Sequence, residues 1–224
     1  MRLLALCVLC LMCVAGPAPS ADCLPPNERP MYGGNYTPTI PRNPFESQEV
    51  ARVAWAAWEA GDSATAMRRF NQAWVLDPDN AQAYWGFGLL TGQKLQDVGA
   101  DSEAGVLALL QESAGYFDKA LALEPGNGRL MVDAGVAQTG LYHFGQVSTI
   151  QAAQRAARTH RAAAQTLFDR AEKVVPDYPV LYFNWSCLAF YEGDYRRARA
   201  LLDKAKALGH PGDAAYEADL AAVE

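Results

Sequence analysis

The sequence contains few residues of the types that carry catalysis or bind metal ions. Only three histidines occur among the 224 residues, and His143, His160 and His210 have no spacing typical of metal ligands. No glycine-rich phosphate loop follows a strand, because no strand pattern is present. Carboxylates such as Asp62 and Asp194 lie in turns, where capping of the next helix explains them. We therefore predict no enzymatic activity, no metal ion and no cofactor.

Positive charge is also scarce. Lysine and arginine total 19 against 25 acidic residues, which gives a net charge of -6. No basic stripe is sustained along the chain, so phosphate contacts would contribute little to binding. We do not expect a nucleic-acid partner.

Long hydrophobic runs are absent except near the amino terminus, where Leu3 begins an apolar run that ends at Ala15. This run is shorter than the roughly 20 residues that span a bilayer. It follows a single arginine and precedes small residues and prolines, which is typical of a secretory signal peptide. We predict a signal peptide over residues 1–20, cleavage after Ser20, export across the inner membrane and a periplasmic location. A lipid-anchored form is less favoured, because Asp22 precedes Cys23.

Cysteine is rare in the remainder of the chain. Three of the five cysteines lie in the predicted signal peptide, which leaves Cys23 and Cys187. These two could form a disulfide in an oxidising compartment. The alternative, slightly favoured, is a buried Cys187 and an exposed Cys23.

Residues 21–46 are predicted to form an extended, proline-rich arm. The stretch "DCLPPNERPMYGGNYTPTIPRNPFE" contains six prolines and two adjacent glycines, and no helical period runs through it. It ends in a helix start, with Asn43 as the cap, Pro44 at the first helical position and Glu46 where a capping box places a carboxylate.

The rest of the chain is helical in pattern and repeats. Prolines follow similar tails in "AWVLDPDN", "ALALEPGN" and "AEKVVPDYP", with alanine five residues and phenylalanine eight residues earlier. The phenylalanines are Phe70, Phe117 and Phe168, and a fourth copy has Leu202 at the same place. A ring beside small residues at fixed offsets is what two closely crossing helices require.

This pattern resembles the tetratricopeptide repeat (TPR), a helix-turn-helix unit. Tyr84, Phe87 and Gly88 match its first helix, and the Gly-Asp turn occurs at Gly61 and Gly193. The resemblance implies an all-α fold, a right-handed α-solenoid of about four helix pairs within residues 47–224. The expected repeats are 47–80, 81–127, 128–178 and 179–212, followed by a capping helix at 213–224.

Repeats two and three exceed the 34-residue unit by about 13 and 17 residues. We predict that their second helices are elongated toward their amino termini, after longer loops at "TGQKLQDVGAD" and "YHFGQV". A short additional helix in each loop is the alternative.

The resemblance also implies a concave groove lined by the first helices of the repeats. Its candidate contact residues are Trp55, Trp58, Glu59, Gln82, Trp85, Leu89, Arg129, Val136, Phe183, Phe190 and Tyr191. Exposed rings in such number favour a binding surface. The polar positions of the carboxylate-clamp variety of TPR are not matched, since Ala51, Trp55, Gly86 and Asp133 occupy them. A carboxylate-tail ligand is therefore not expected.

Taken together, these features predict an exported protein-interaction scaffold that binds a peptide or protein segment in an aromatic groove, in cell-envelope assembly or maintenance. One alternative is a structural or oligomerising protein whose groove is filled by its own arm, with Tyr32 and Tyr36 as the plugs. A periplasmic inhibitor or immunity protein is another, and an open apolar site for a small molecule is a third. Nothing in the sequence indicates the oligomeric state.

Overall fold

The computed structural model describes residues 24–34, 36–96 and 102–223. The predicted signal peptide and Cys23 lie outside the described residues. The regular elements that are described are all helical, as predicted: α1 Pro44–Glu59, α2 Ser63–Leu76, α3 Ala81–Gln93, α4 Glu103–Leu123, α5 Gly128–Val147, α6 Gln151–Val174, α7 Pro179–Tyr191, α8 Tyr195–Ala207 and α9 Ala214–Ala221. None of these helices is both long and apolar enough to cross a bilayer.

The chain divides into two compact units. The amino-terminal unit holds the described residues up to 96 and Glu112–Pro125, and so contains α1, α2, α3 and the second half of α4. The carboxy-terminal unit holds 102–111 and the described residues from 126 onward, which include α5 to α9. In the amino-terminal unit α1 and α2 form an antiparallel pair on which α3 packs, and in the carboxy-terminal unit α5 pairs with α6 and α7 with α8.

Polar side chains cap the helices where the sequence predicts. Asn43 accepts a hydrogen bond from the backbone N–H of Glu46, and Asp62 and Asp194 cap α2 and α8 in the same way. The carboxylate of Glu46 accepts from the Asn43 side-chain amide at 2.9 Å. The second bond of a capping box is not formed, because the backbone N–H of Asn43 donates to the carbonyl oxygen of Leu76. The preceding turns place Gly61 and Gly193 at φ of 79° and 78°, a conformation that favours glycine.

Phenylalanine rings pack on glycines between α3 and α4 and between α5 and α6. A β-carbon placed on Gly88 would lie 2.9 Å from the Phe117 ring, and one on Gly135 would lie 2.6 Å from the Phe168 ring. Phe70, Phe117 and Phe168 are all buried. The small-beside-large pattern of the sequence therefore corresponds to a close approach of two helix backbones over a phenylalanine.

The second helices of repeats two and three are elongated, as predicted, with 21 residues in α4 and 24 in α6. The predicted loop at "YHFGQV" is wrong, because these residues are the last turns of α5, which has 20 residues. Gly145 explains the difference. A β-carbon there would lie 2.6 Å from the carbonyl oxygen of Ala153, so glycine lets α5 continue alongside α6.

In repeat two, the predicted loop "TGQKLQDVGAD" begins within a helix. Thr91 to Gln93 complete α3, and Lys94–Gln96 form a 3-10 turn. Residues 97–101 lie outside the described residues.

The proline-rich arm is more ordered than an extended segment. Pro26–Glu28 form a 3-10 turn, and Met31 and Tyr32 follow with left-handed φ of 48° and 55°. Asn71 of α2 explains this turn, because its amide donates to the backbone carbonyls of Asn27 at 3.0 Å and Arg29 at 2.9 Å. The prolines keep these arm residues out of a regular helix, and the side chain of Asn71 supplies the hydrogen bonds that their backbone carbonyls would otherwise lack.

Candidate functional site

Six of the predicted groove residues lie on α1 and α3 of the amino-terminal unit. We call this set the tryptophan face: Trp55, Trp58, Glu59, Gln82, Trp85 and Leu89. At the centre, the rings of Trp55 and Trp85 meet edge to face with centroids 4.9 Å apart. Both indoles are half-buried. Edge-to-face contact is a favourable arrangement for aromatic rings, so the pair is held in one geometry in the free protein.

Trp55 is also held in place by contacts with the core and with Gln82. Its ring lies edge to face on buried Phe70 at a centroid distance of 5.1 Å. Its indole N–H donates to the Gln82 side-chain oxygen at 2.9 Å. A replacement at Trp55 would therefore disturb the core as well as the surface.

Gln82 connects the indole to a carboxylate. Its amide nitrogen is 3.1 Å from both side-chain oxygens of Glu124, the residue that follows α4. The Gln82 oxygen accepts from Trp55 while its nitrogen donates to Glu124, so both ends of the amide are used. The sequence-based site did not include Glu124. The sequence contains one signal for this residue: Glu124 directly precedes the repeat proline Pro125, as Asp77 precedes Pro78 in the first repeat.

The remaining members form the outer part of the tryptophan face. Trp58 and Leu89 are half-buried and Glu59 is exposed. On a helix, Glu59 follows Trp55 by one turn and Leu89 follows Trp85 by one turn, so each pair shares a side of its helix. The face therefore combines indole surface, one aliphatic side chain, one amide and one carboxylate.

The predicted contacts on α5 belong to the carboxy-terminal unit. Arg129 is exposed, and its guanidinium carbon lies 5.2 Å from the centroid of the Tyr178 ring. Val136 is half-buried. Both residues therefore belong to a different unit from the tryptophan face.

The predicted contacts on α7 are covered to different degrees by the end of the chain. Phe183 is only 7% exposed and stacks on His210 with centroids 4.1 Å apart. Phe190 is half-buried, and its ring centroid lies 5.6 Å from that of Tyr216 in α9. Phe183 therefore presents little surface to a partner, because the chain that follows α8 folds back over it.

Tyr191 is half-buried and stacks on His143 of α5, with centroids 4.0 Å apart and planes 21° from parallel. Burial lowers the pKa of His143. Because burial penalises the charged form, it favours the neutral imidazole at this position.

Tyr216 is a structural residue that the sequence-based site also omits. It is 4% exposed, its hydroxyl lies 2.5 Å from the Ser186 hydroxyl oxygen, and its ring contacts Phe183. A single tyrosine on the apolar side of "DAAYEADL" is the available sequence signal. Cys187 is also buried, and its proposed partner Cys23 lies outside the described residues.

The arm makes its contacts on α2, the helix between α1 and α3 in sequence. Tyr36 meets Trp74 edge to face at 6.4 Å, and Glu28 pairs with Arg68 at 3.2 Å. Arg42 forms ion pairs with Asp77 and, at 2.8 Å, with Asp79. The predicted plugs Tyr32 and Tyr36 thus lie against each other, 5.0 Å apart, near Trp74, whereas the tryptophan face belongs to the other two helices.

The described residues contain no group of three or more histidine, cysteine, aspartate or glutamate side chains placed to hold a metal ion. Glu59 of the tryptophan face is exposed, and the neighbouring Glu124 accepts hydrogen bonds from Gln82. The chemistry that this site offers is therefore apolar contact, ring stacking and charge.

No family model matches the sequence, and no curated protein matches it. Solved structures do match the fold. Among them is the crystal structure of a thermophilic TPR protein from Thermus thermophilus, with a TM-score of 0.56 and 18% sequence identity. The match covers 73% of this chain and 74% of that chain. At this identity the likeness concerns the fold: the chain has the all-helical α-solenoid fold of a TPR protein.

Proposed function

We propose that this chain, which has the TPR fold, is a protein-interaction scaffold that binds a peptide or protein segment on the tryptophan face. The single observation that carries the proposal is the half-buried pair of Trp55 and Trp85. The pair is oriented by contacts with Phe70 and Gln82 before any partner arrives. Rigid aromatic anchors bind at low entropic cost and dominate the energy of many interfaces.

The contacts of the arm support an available face over a self-occupied one. The described arm residues find their partners on Asn71 and Trp74 of α2. The alternative, in which the arm fills the groove, requires Tyr32 and Tyr36 to lie on Trp55 and Trp85 instead.

We further propose that the protein is exported and acts in the cell envelope. The apolar run that ends at Ala15 and the small residues near Ser20 support this. Mass spectrometry of the protein purified from its producing cells tests it, because a chain that begins at Ala21 is expected. A chain that retains residues 1–20 would contradict export by this route.

The binding role is tested with single substitutions that alter either the tryptophan face, on α1 and α3, or a different side of α1. Trp58→Ala and Leu89→Ala remove surface of the tryptophan face and leave the Trp55–Gln82 bond in place. Phe45→Ala is the control, since Phe45 is 78% exposed on the same helix and about 140° around it from Trp58. We expect partner proteins that co-purify with the wild-type protein to be lost in the first two variants and retained in the third.

Circular dichroism controls for folding in each variant. Partners retained by both Trp58→Ala and Leu89→Ala with unchanged helix content would exclude the tryptophan face as the binding surface.

A further inference from the structure

The tryptophan face has one sign of charge. It carries Glu59 and borders Glu124, and none of its six members is lysine or arginine. The one arginine of α1, Arg52, forms an ion pair with Glu49, with a nitrogen-to-oxygen distance of 3.2 Å. Glu49 lies about 120° around the helix from Trp55, whereas Glu59 lies about 40° from it.

The hydrogen-bonding groups at the centre of the face are already used. Gln82 accepts from the Trp55 indole and donates to Glu124. A ligand that needs amide or indole hydrogen bonds would have to break these. What remains for a ligand is the surface of the indole rings together with the negative charge of Glu59, which is exposed.

A cation satisfies both features at once. The face of an indole ring attracts a positive charge through its quadrupole, and carboxylates beside it add to the attraction. An acidic segment would instead meet like charges at the rim.

This chain uses the same arrangement twice within its carboxy-terminal unit. The Lys204 ammonium lies 3.8 Å from the centroid of the Tyr182 ring and 3.0 Å from a carboxylate oxygen of Glu172. The Arg197 guanidinium lies 5.2 Å from the Trp185 ring centroid and 3.7 Å from Glu192. In both places a cation lies between an aromatic ring and a glutamate.

We propose that the segment bound by the tryptophan face carries a lysine or arginine, and that its cation lies against a half-buried indole beside Glu59. This inference rests on the proposed function and specifies the chemistry of the partner. A cation on a partly exposed ring contributes about two- to fivefold in affinity. The added ion pairing should weaken as salt is raised.

The test is a selection of random 12-residue peptides, displayed on phage, against the full-length protein. Parallel selections use Trp58→Ala, Glu59→Lys and the matched control Glu49→Lys, which makes the same charge change on the same helix. We expect wild type and Glu49→Lys to enrich the same peptides, with lysine or arginine at a recurring position. Trp58→Ala and Glu59→Lys should lose them.

The best peptide is then synthesised with its basic residue intact or replaced, lysine by norleucine or arginine by citrulline. Titration by fluorescence anisotropy should show that the replacement weakens binding by about threefold or more. The loss should be smaller in 0.5 M salt, where the Debye length is well below that at about 0.1 M.

The outcomes separate this inference from the proposed function. Peptides that need Trp58 but show no basic enrichment, or that bind Glu59→Lys as well as wild type, would overturn the basic partner and leave the binding face intact. If no enriched peptide depends on Trp58, the proposed function itself fails. Should Trp58→Ala lose helix content, Leu89→Gln serves as the second variant of the face.

Discussion

Phenylalanines that lie directly on glycines set how closely the helices of this protein approach. Phe168 packs on Gly135, Phe117 on Gly88, and Phe70 on Gly86. The glycines lie within α-helices, so they are not needed for a turn. Each is required because a ring occupies the space where a β-carbon would be.

Gly135→Ala should therefore lower the free energy of unfolding by about 1–3 kcal/mol, the usual cost of overpacking a core. The measurement is urea denaturation followed by circular dichroism. Gly115→Ala is the matched control, because it is an exposed position within α4 with nothing within 4 Å of an added β-carbon. Alanine there should stabilise by up to about 1 kcal/mol. Equal effects of the two substitutions would contradict the role assigned to the rings.

His143 predicts a pH dependence of stability. Burial lowers its pKa in the folded protein, so the unfolded chain, with an ordinary pKa near 6.5, binds more protons as pH falls below that value. Unfolding should become easier as pH falls below about 6.5. His143→Phe keeps a ring on Tyr191 and should flatten the curve of unfolding free energy against pH between about 5 and 6.5.

Any pH dependence of the unfolding free energy that remains in His143→Phe would come from other groups. One of these is His210, because burial lowers its pKa as well. A pH profile identical to that of the wild-type protein would show that His143 titrates normally in the fold.

Two peripheral elements dock on the helices they cover through side-chain hydrogen bonds and ring contacts. At the amino terminus, the arm docks on Asn71, which binds the carbonyls of Asn27 and Arg29 and accepts from the N–H of Tyr32 at 3.3 Å. At the carboxy terminus, α9 docks through Tyr216 on Ser186 and Phe183. Both elements cover apolar surface that would otherwise face water, as terminal caps of repeat arrays do.

Asn71→Ala should release the arm. It removes three hydrogen bonds, and we expect the amides of residues 24–34 to exchange hydrogen for deuterium faster while the exchange in α7 and α8 is unchanged. Mass spectrometry of peptide fragments measures this. Gln72→Ala is the control, because Gln72 is the next residue and bonds to Arg69 rather than to the arm. Unchanged exchange in the arm of Asn71→Ala would show that other contacts hold it.

For the whole molecule, repeated residues made the fold predictable. The offsets of Phe70, Phe117 and Phe168 predicted helix pairs, and those pairs are present within the described residues. The extra turns of α5 were missed because "YHFGQV" has weak local helix preference, and its helix depends on the contact of Gly145 with Ala153. Such a tertiary contact outweighs local propensity and leaves no sign in the local sequence.

The candidate site was predictable only in part. The positions of Trp55 and Trp85 on adjacent first helices follow from the repeat. Their 4.9 Å contact and the bond from Gln82 to Glu124 depend on side-chain geometry. The covering of Phe183 depends on where the chain goes after α8, which repeat spacing does not specify.

The central claim is that the tryptophan face binds another polypeptide and is not occupied by the arm. The most direct measurement places the photo-crosslinker p-benzoylphenylalanine at position 58 or, as the control, at position 45, in the cells that produce the protein. We predict adducts with a second polypeptide from position 58 and none from position 45. Equal adducts from both positions, or crosslinks from position 58 to residues 24–34 of the same chain, would contradict the claim.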